Sequence, residues 1–398
     1  MTVERVEVLV LGAGIAGCAL AHHLRAKGVG PVAVFDPETP GAGATGRAAG
    51  IVTEQLWDRW DVEVTRFAKA EYARLAARWS PTAFRTNGFA RWTREPTAAT
   101  ALREAAARLR EWGVPVEPLT ADELAQKVPW GRFDGILAAM WSPEDAVVTP
   151  STIGEIYAES ARNTGVEFLL GRPMASFARS GDRWVLETAG RRLEAPSAVV
   201  AAGAWSKRLL ASVGHPLPLA PYRTQAAVLR PNPPVPGEFP SVHDIDVDVY
   251  VRPEEAGRIL AGDGTQLVEV DPMTFQPGGD SSFVENVAST FAERFPGWAE
   301  AELVRAWAGV CVSTPDRHPL VGPVPGAAGL YTITGFNGFG VMRAGGAAER
   351  LAAVLASNGG EPEMDRLAPV DPRRFTGPVV PFSPRPGFTL EGGNDPRF

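Results

Sequence analysis

Apolar positions follow two different rhythms along the chain. Near the N-terminus, "VEVLVLG" is a continuous apolar run, and "IAGCALAHHLRAKG" behind it spaces apolar residues three and four apart. The pair predicts a buried strand feeding an amphipathic helix. A second apolar run, "VAVFD", ends at Asp36. Residues 57–130 read as mostly helical, since "AEYARLAARW" and "TAATALREAAARLREWG" repeat at helical spacing. "RWVLETAGRRLEA" predicts a hairpin about Ala189-Gly190. "SAVVAAGAWSKRLL" opens with a continuous apolar strand, the mark of a parallel sheet covered on both faces.

From about 219 to 312 the period shortens to two, in "YRTQAAVLR", "VDVYVRPEE", "GRILAGDGT" and "AELVRAWAGVCV". One helix, "SSFVENVASTFAERF", interrupts them. This pattern predicts an antiparallel sheet with one face available to a ligand. The apolar strand "GLYTITGFNG" and a helix from about 341 then return to the first rhythm. The expected fold class is α/β: a discontinuous Rossmann-like domain over 1–75, 145–218 and 315–372. An inserted α+β substrate domain, built on the antiparallel sheet, takes 76–144 and 219–314. The Pro/Gly-rich tail, 373–398, is expected to wrap the surface or to be partly disordered.

Composition narrows the class. The chain has 398 residues, enough for two domains, with apolar and charged contents of 45% and 21%, ordinary for a globular protein. Its net charge of −7 is spread without blocks of like sign, so neither a nucleic-acid patch nor a polybasic membrane anchor is expected. The two cysteines, Cys18 and Cys311, make no disulfide framework. The acidic N-terminus is unlike a signal peptide, and no apolar run reaches the roughly 18 residues needed to span a bilayer. A soluble cytoplasmic protein is expected.

The chemistry begins at Gly12, Gly14 and Gly17, spaced G-x-G-x-x-G between strand and helix. Gly12 permits the turn, Gly14 lets a pyrophosphate reach the backbone beside Ile15 and Ala16, and Gly17 lets the helix pack on the strand. Asp36, nineteen residues after Gly17, stands where a carboxylate accepts from a ribose. FAD and NAD both fit these residues. A second small-residue loop, "PGAGATGRAAGIV" (40–52), offers Thr45, Arg47, Ala48, Ala49, Gly50 and Ile51 for close approach to an extended ligand, which favours a flavin.

"VLVLGAGIAGCALAHHL", "GAGATGRAAGIV", "AVVAAGAWSKRLL", "YVRPE…GRILAGDGT", "STPDRHPLVGPVP" and "GLYTITGFNGFGVMRAGG" together resemble the FAD-dependent D-amino acid oxidase superfamily, in its glycine oxidase and sarcosine oxidase branch. The resemblance spans about residues 6–375. It implies FAD as cofactor and oxidation of a C–N bond of a small amino acid or N-methylated secondary amine. Hydride would pass to flavin N5, water would hydrolyse the imine, and O2 or another acceptor would reoxidise the flavin.

The resemblance also implies FAD contacts at Pro173, Met174, Ala202, Gly203, Trp205 and Gly309. Further contacts fall on Gly335, Asn337, Gly338, Phe339, Gly340 and Val341, where a helix N-terminus would meet the flavin's pyrimidine edge. The cysteine that binds flavin covalently in some sarcosine oxidases falls on Gly309 here, with Cys311 two residues away, so non-covalent FAD is expected. The lysine that binds substrate carboxylate in sarcosine-oxidising relatives corresponds to Met342, which cannot replace a cation. Tyr250, Arg252 and Arg343 are candidates for that role, and His243 and His318 for contacting substrate or flavin. No metal is expected, because His22 and His23 are adjacent on a helix and point in different directions. Oxidation of a 2-hydroxy acid or polyol on the same scaffold, a non-catalytic FAD-binding subunit, and an NAD-dependent dehydrogenase are the alternatives.

Overall fold

The computed structural model describes residues 2–235, 239–375 and 377, with the backbone alone at residue 2 and over 263–268. Strand Val8–Leu11 pairs in parallel with Val32–Asp36 on one side and Ser197–Val200 on the other. Glu167–Leu170 and Leu330–Thr334 extend the parallel sheet, and Leu320–Pro323 closes it antiparallel. The apolar character of these strands has a direct cause. Val8, Val10, Val32, Val34 and Val199 enter a core shared with helices Ile15–Ala26, Arg59–Trp79, Pro150–Arg162 and Gly340–Ala356. Leu9, Leu11, Ala33, Phe35, Ala198 and Val200 enter the core on the opposite face. With both faces covered, neither set of positions is polar.

That second core is closed by a four-stranded sheet of Thr2–Arg5, Met174–Ser180, Arg183–Thr188 and Arg191–Ala195. Its last hairpin turns at Ala189-Gly190, with Thr188 opposite Arg191.

An eight-stranded sheet forms the other half. Ala220–Arg230 lies between Ile259–Glu269 and Glu302–Ser313, antiparallel to both. Val249–Pro253 and Ser241–Asp244 continue it, and Phe89–Thr93, Ala138–Ser142 and Glu117–Pro118 complete it. Helix Ser281–Arg294 packs Phe283, Val287 and Phe291 on one face, beside Trp92 and Trp298. Helix Pro96–Glu111 packs Leu102 and Leu109 with Phe89 and Met140 in another core.

One expectation changes. Residues 57–130 hold helices Arg59–Trp79, Pro96–Glu111 and Ala121–Lys127, but strands Phe84–Thr86 and Phe89–Thr93 interrupt them. "FARWT" is buried along its whole length, so it shows no polar alternation to mark it as a strand. Gly345 and Gly346 serve helix packing: a Cβ on Gly346 would lie 2.3 Å from the Val64 carbonyl oxygen. The tail expectation concerns 373–398, of which 376 and 378–398 lie outside the described residues.

Candidate active site

The carboxyl ends of the parallel strands and one face of the eight-stranded sheet enclose a cavity of about 1190 Å³. Gly12, Gly14, Ile15 and Ala16 form one wall. Gly12 has φ +121° and passes so close to strand Ser197–Val200 and its continuation that a Cβ would sit 2.4 Å from the Ala201 carbonyl oxygen. Gly17 lies outside the cavity lining, beneath Gly12, where a Cβ would stand 1.9 Å from the Gly12 carbonyl oxygen. At Gly14 the nearest atom to an added Cβ is the Thr45 hydroxyl, at 3.5 Å. Gly14 brings no capping side chain to the helix Ile15–Ala26; the Thr45 hydroxyl takes the Ile15 N–H, and the helix N-terminus lines the cavity, where it suits an anion.

Asp36 holds this turn in shape. Its carboxylate accepts from Ala13 N–H at 2.7 Å and Glu38 N–H at 2.9 Å. Burial pushes the carboxyl above its ordinary range, and these two amides pull against that shift. Each oxygen retains a lone pair for a ribose hydroxyl.

The loop at 42–51 is tied on both sides. Thr45 Oγ1 accepts from Ile15 N–H at 3.0 Å, and the Arg47 guanidinium donates to the carbonyls of Ala42 and Gly43. Trp307 Nε1 donates to the Arg47 carbonyl at 3.0 Å, and Arg252 Nε donates to the Ala49 carbonyl. Arg47, Ala48, Ala49, Gly50 and Ile51 line the cavity as a result.

The second glycine loop stands across the cavity. Gly335, Asn337 and Gly338 all have positive φ, which folds the loop back on itself before helix Gly340–Ala356. Asn337 N–H donates to the Val312 carbonyl at 3.0 Å, and Tyr72 Oη donates to the Val341 carbonyl at 2.7 Å. The Asn337 side chain is buried in the lining, yet both its amide oxygen and nitrogen lack a hydrogen-bonding partner among the described residues. A buried amide needs a partner, so this site fits a ligand with paired donor and acceptor groups, as on a flavin's pyrimidine edge. Phe339, Gly340 and Val341 line the wall beside it. Ala202, Gly203, Trp205 and Met174 lie along the cavity, whereas Pro173 lies outside its lining.

The sheet face supplies residues in register. Tyr222 stands opposite Cys311, Thr224 opposite Gly309 and Ala226 opposite Trp307, and all six line the cavity. Tyr222 and Cys311 face each other across the strands, and burial pushes the thiol up to about 11 and the phenol well above its ordinary value. Both are neutral at pH 7. Tyr222, Asp248, Phe89 and Phe275 are lining residues that the sequence reading missed. Period-two spacing along "YRTQA" marks Tyr222, but not which strand faces it.

Tyr250, His243 and Met342 reach the cavity. His243 Nε2 lies 2.9 Å from Asp248 Oδ1. Met342 packs in the apolar cluster with Phe89, Phe339 and Ile51. Two candidates do not reach it. Arg252 is buried and turned towards Ala49, the Pro253 carbonyl at 2.7 Å and Glu254 at 2.8 Å. Arg343 is fully buried against Asp61 at 2.6 Å and the Phe336 carbonyl at 2.6 Å. A guanidinium removed from water needs such partners, and they aim both side chains away from the ligand. His318 faces Asp58, with Nδ1 to Oδ2 at 3.1 Å, outside the cavity. His22 and His23 converge rather than diverge: their Nε2 atoms lie 3.8 and 3.2 Å from the two oxygens of Glu71. That group is also outside the cavity, with Glu71 held by Tyr157 and Arg74.

A family model described as "DAO: FAD dependent oxidoreductase" matches residues 7–354. The chain belongs to the DAO family of FAD-dependent oxidoreductases. Among its DAO relatives, the 4-methylaminobutanoate oxidase (formaldehyde-forming) of Paenarthrobacter nicotinovorans is 28% identical over 395 residues. The match covers 94% of this chain and 46% of that protein, so the chain spans about half the length of that relative. The glycine oxidase of Geobacillus kaustophilus (strain HTA426) is 27% identical over 347 residues, 85% of this chain and 90% of that protein. The crystal structure of L-proline dehydrogenase from P. horikoshii has a TM-score of 0.85 at 23% identity, covering 94% of this chain and 98% of that one. That likeness shows the shared DAO fold. Among the described residues no helix is long and apolar enough to cross a membrane.

Proposed function

We propose that this chain oxidises the C–N bond of a small amine or amino acid, with non-covalent FAD. The observation that carries the reading is a single continuous cavity: it joins the Gly12–Gly14 turn, the unpartnered Asn337 amide and the Tyr250–His243–Met342 face. FAD, when bound, supplies the two-electron acceptor for a C–H bond beside an amine nitrogen. Gly14 and the N-terminus of helix Ile15–Ala26 would hold its pyrophosphate, and Asp36 a ribose. Asn337 and the N-terminus of helix Gly340–Ala356 would hold the polar edge of the ring, where the helix end favours negative charge.

Gly309 stands where some sarcosine oxidases attach flavin, and the buried Cys311 thiol is neutral opposite Tyr222, which favours non-covalent binding. The His243–Asp248 pair is placed to hold a proton at His243 Nε2 beside a bound amine. Water would hydrolyse the resulting imine, and O2 or another acceptor would serve as the terminal oxidant. The domain division follows the sheets: 1–75, 145–218 and 315–372 hold the six-stranded sheet, while 76–144 and 219–314 hold the eight-stranded one. The two free thiols suit a reducing, cytoplasmic setting.

Anaerobic mixing of the FAD-loaded protein with a panel of amines, amino acids and 2-hydroxy acids tests the reading. Loss of the oxidised-flavin absorption with amines is expected. Loss with hydroxy acids alone overturns it.

A further inference from the structure

The cavity's charge pattern bears on which amine is taken. Arg47 and Arg208 are the lysine or arginine residues that line it among the described residues. Arg47 is bound to the carbonyls of Ala42 and Gly43. Arg208 sits on the short helix Ser206–Ser212, which follows the six-stranded sheet's strand Ser197–Val200 rather than standing on the Tyr250–His243–Met342 face. The cations nearer that face are turned elsewhere: Arg252 towards Glu254 and Arg343 towards Asp61. Arg91 lies outside the lining: it donates to the Gln55 carbonyl at 3.2 Å, lies over the Phe89 ring that stands in the cavity wall, and its charge acts on Asp145 and Asp248. The strand segment DGTQLV at 263–268 contains neither lysine nor arginine.

The face does present a carboxylate. Asp248 lines the cavity from the hairpin between Ser241–Asp244 and Val249–Pro253, with φ +49° and its Oδ1 on His243. Phe89, Phe339 and Met342 form the apolar surface near it. A substrate carboxylate brought here would exchange water for aromatic and thioether groups beside a like charge. An alkyl chain would bury apolar area on the same wall, and an amine would meet an acceptor in Asp248.

We infer that the amine this chain oxidises carries no carboxylate on either carbon bonded to its reacting nitrogen, and that Asp248 selects for the nitrogen's positive charge during binding. This rests on the amine-oxidation reading and names its substrate class. A carboxylate several carbons away is compatible with it.

The test uses matched ligands on the FAD-loaded protein. N-methylpentylamine and N-methylnorleucine share a skeleton and differ by the carboxylate beside nitrogen. The first is expected to reduce the flavin at least about ten-fold faster. Pentyltrimethylammonium has no nitrogen lone pair to form a C=N bond, so shifts in the flavin spectrum report its binding alone. It is expected to bind more tightly than hexanoate, and Asp248→Asn is expected to abolish that preference. Faster reduction by N-methylnorleucine, tighter binding of hexanoate, or a preference unmoved by Asp248→Asn overturns the inference. If no amine reduces the flavin, the functional reading falls, and the two binding titrations still decide the charge preference.

Discussion

Arg343 and Asp61 form an ion pair from which water is wholly excluded, with Nη1 and Oδ1 2.6 Å apart and no exposed surface on either side chain. Arg343 Nη2 also donates to the Phe336 carbonyl at 2.6 Å, so helix Arg59–Trp79 holds the loop that carries Asn337. Arg343→Met strands the buried Asp61 charge, and a loss of about 3–5 kcal/mol is expected. Adding Asp61→Leu removes the stranded charge, so the double variant regains most of the thermal stability. FAD retention is expected to stay impaired, because the Phe336 carbonyl still lacks its donor. Calorimetry and ultrafiltration of the flavin separate the two effects. Recovery of both would mean that the pair stabilises the fold without positioning the loop.

The three glycines of the first turn are expected to differ sharply. An added Cβ meets backbone oxygen at 1.9 Å on Gly17 and at 2.4 Å on Gly12. Gly17→Ala and Gly12→Ala therefore force the helix and strand apart and lower Tm in the absence of FAD. Gly14→Ala meets only the Thr45 hydroxyl at an ordinary 3.5 Å, so the apoprotein keeps its Tm. Its cost appears when a ligand approaches that wall, as a weaker FAD affinity measured by titration. An unchanged affinity for Gly14→Ala would remove the pyrophosphate from this turn.

The same glycines show what was legible in the sequence. Strand, turn, helix and Asp36 are local features, and their spacing alone specified the turn that Asp36 closes onto Ala13. Gly345 and Gly346 look like part of the second glycine loop in sequence, but they are there because Val64 and Ala68 pack against them. That partner lies on a distant helix and has no sequence signal. Arg252 and Arg343 were misread for a related reason. Residue type announces a charge, but the partners that turn it away, Glu254 and Asp61, are set by tertiary packing. Tyr222 escaped notice because its role depends on strand register, which places it opposite Cys311.

Asn337 couples stability to ligand binding. Its backbone has φ +53°, and its buried amide has no partner among the described residues. Asn337→Gly keeps the backbone conformation accessible and removes the unpaired groups. The apoprotein is expected to be as stable as the parent or more so, while FAD binds about five- to ten-fold more weakly through lost hydrogen bonds. Differential scanning of apoprotein and flavin titration give the two readings. A fall in apoprotein Tm with unchanged FAD affinity would assign Asn337 to the fold alone.

Asp145 makes the fold sensitive to alkali. It is buried beneath the segment that follows strand Ile51–Val52, accepting from the Thr53 hydroxyl and, at 3.0 Å, from Glu54 N–H. Burial pushes its carboxyl up from 3.8 to about 7, against the pull of Thr53 and Lys69. Asp58 is likewise raised to about 7, by burial and then by the neighbouring Asp61 charge. The folded state therefore holds these protons more tightly than the unfolded chain does. Their contribution is fully present below the unfolded value, declines from about pH 4, and is gone above about pH 7. At the acid end, Asp316 and Glu63, whose carboxyls are lowered by Arg374 and by Arg350 and Arg59, lose their favourable pairing. Tm is thus expected to be higher near about pH 5.5 than near about pH 8. Asp145→Asn keeps a neutral side chain of the same shape at every pH, so it flattens the slope between these values. An unaltered slope in that variant would show that Asp145 does not take up the proton.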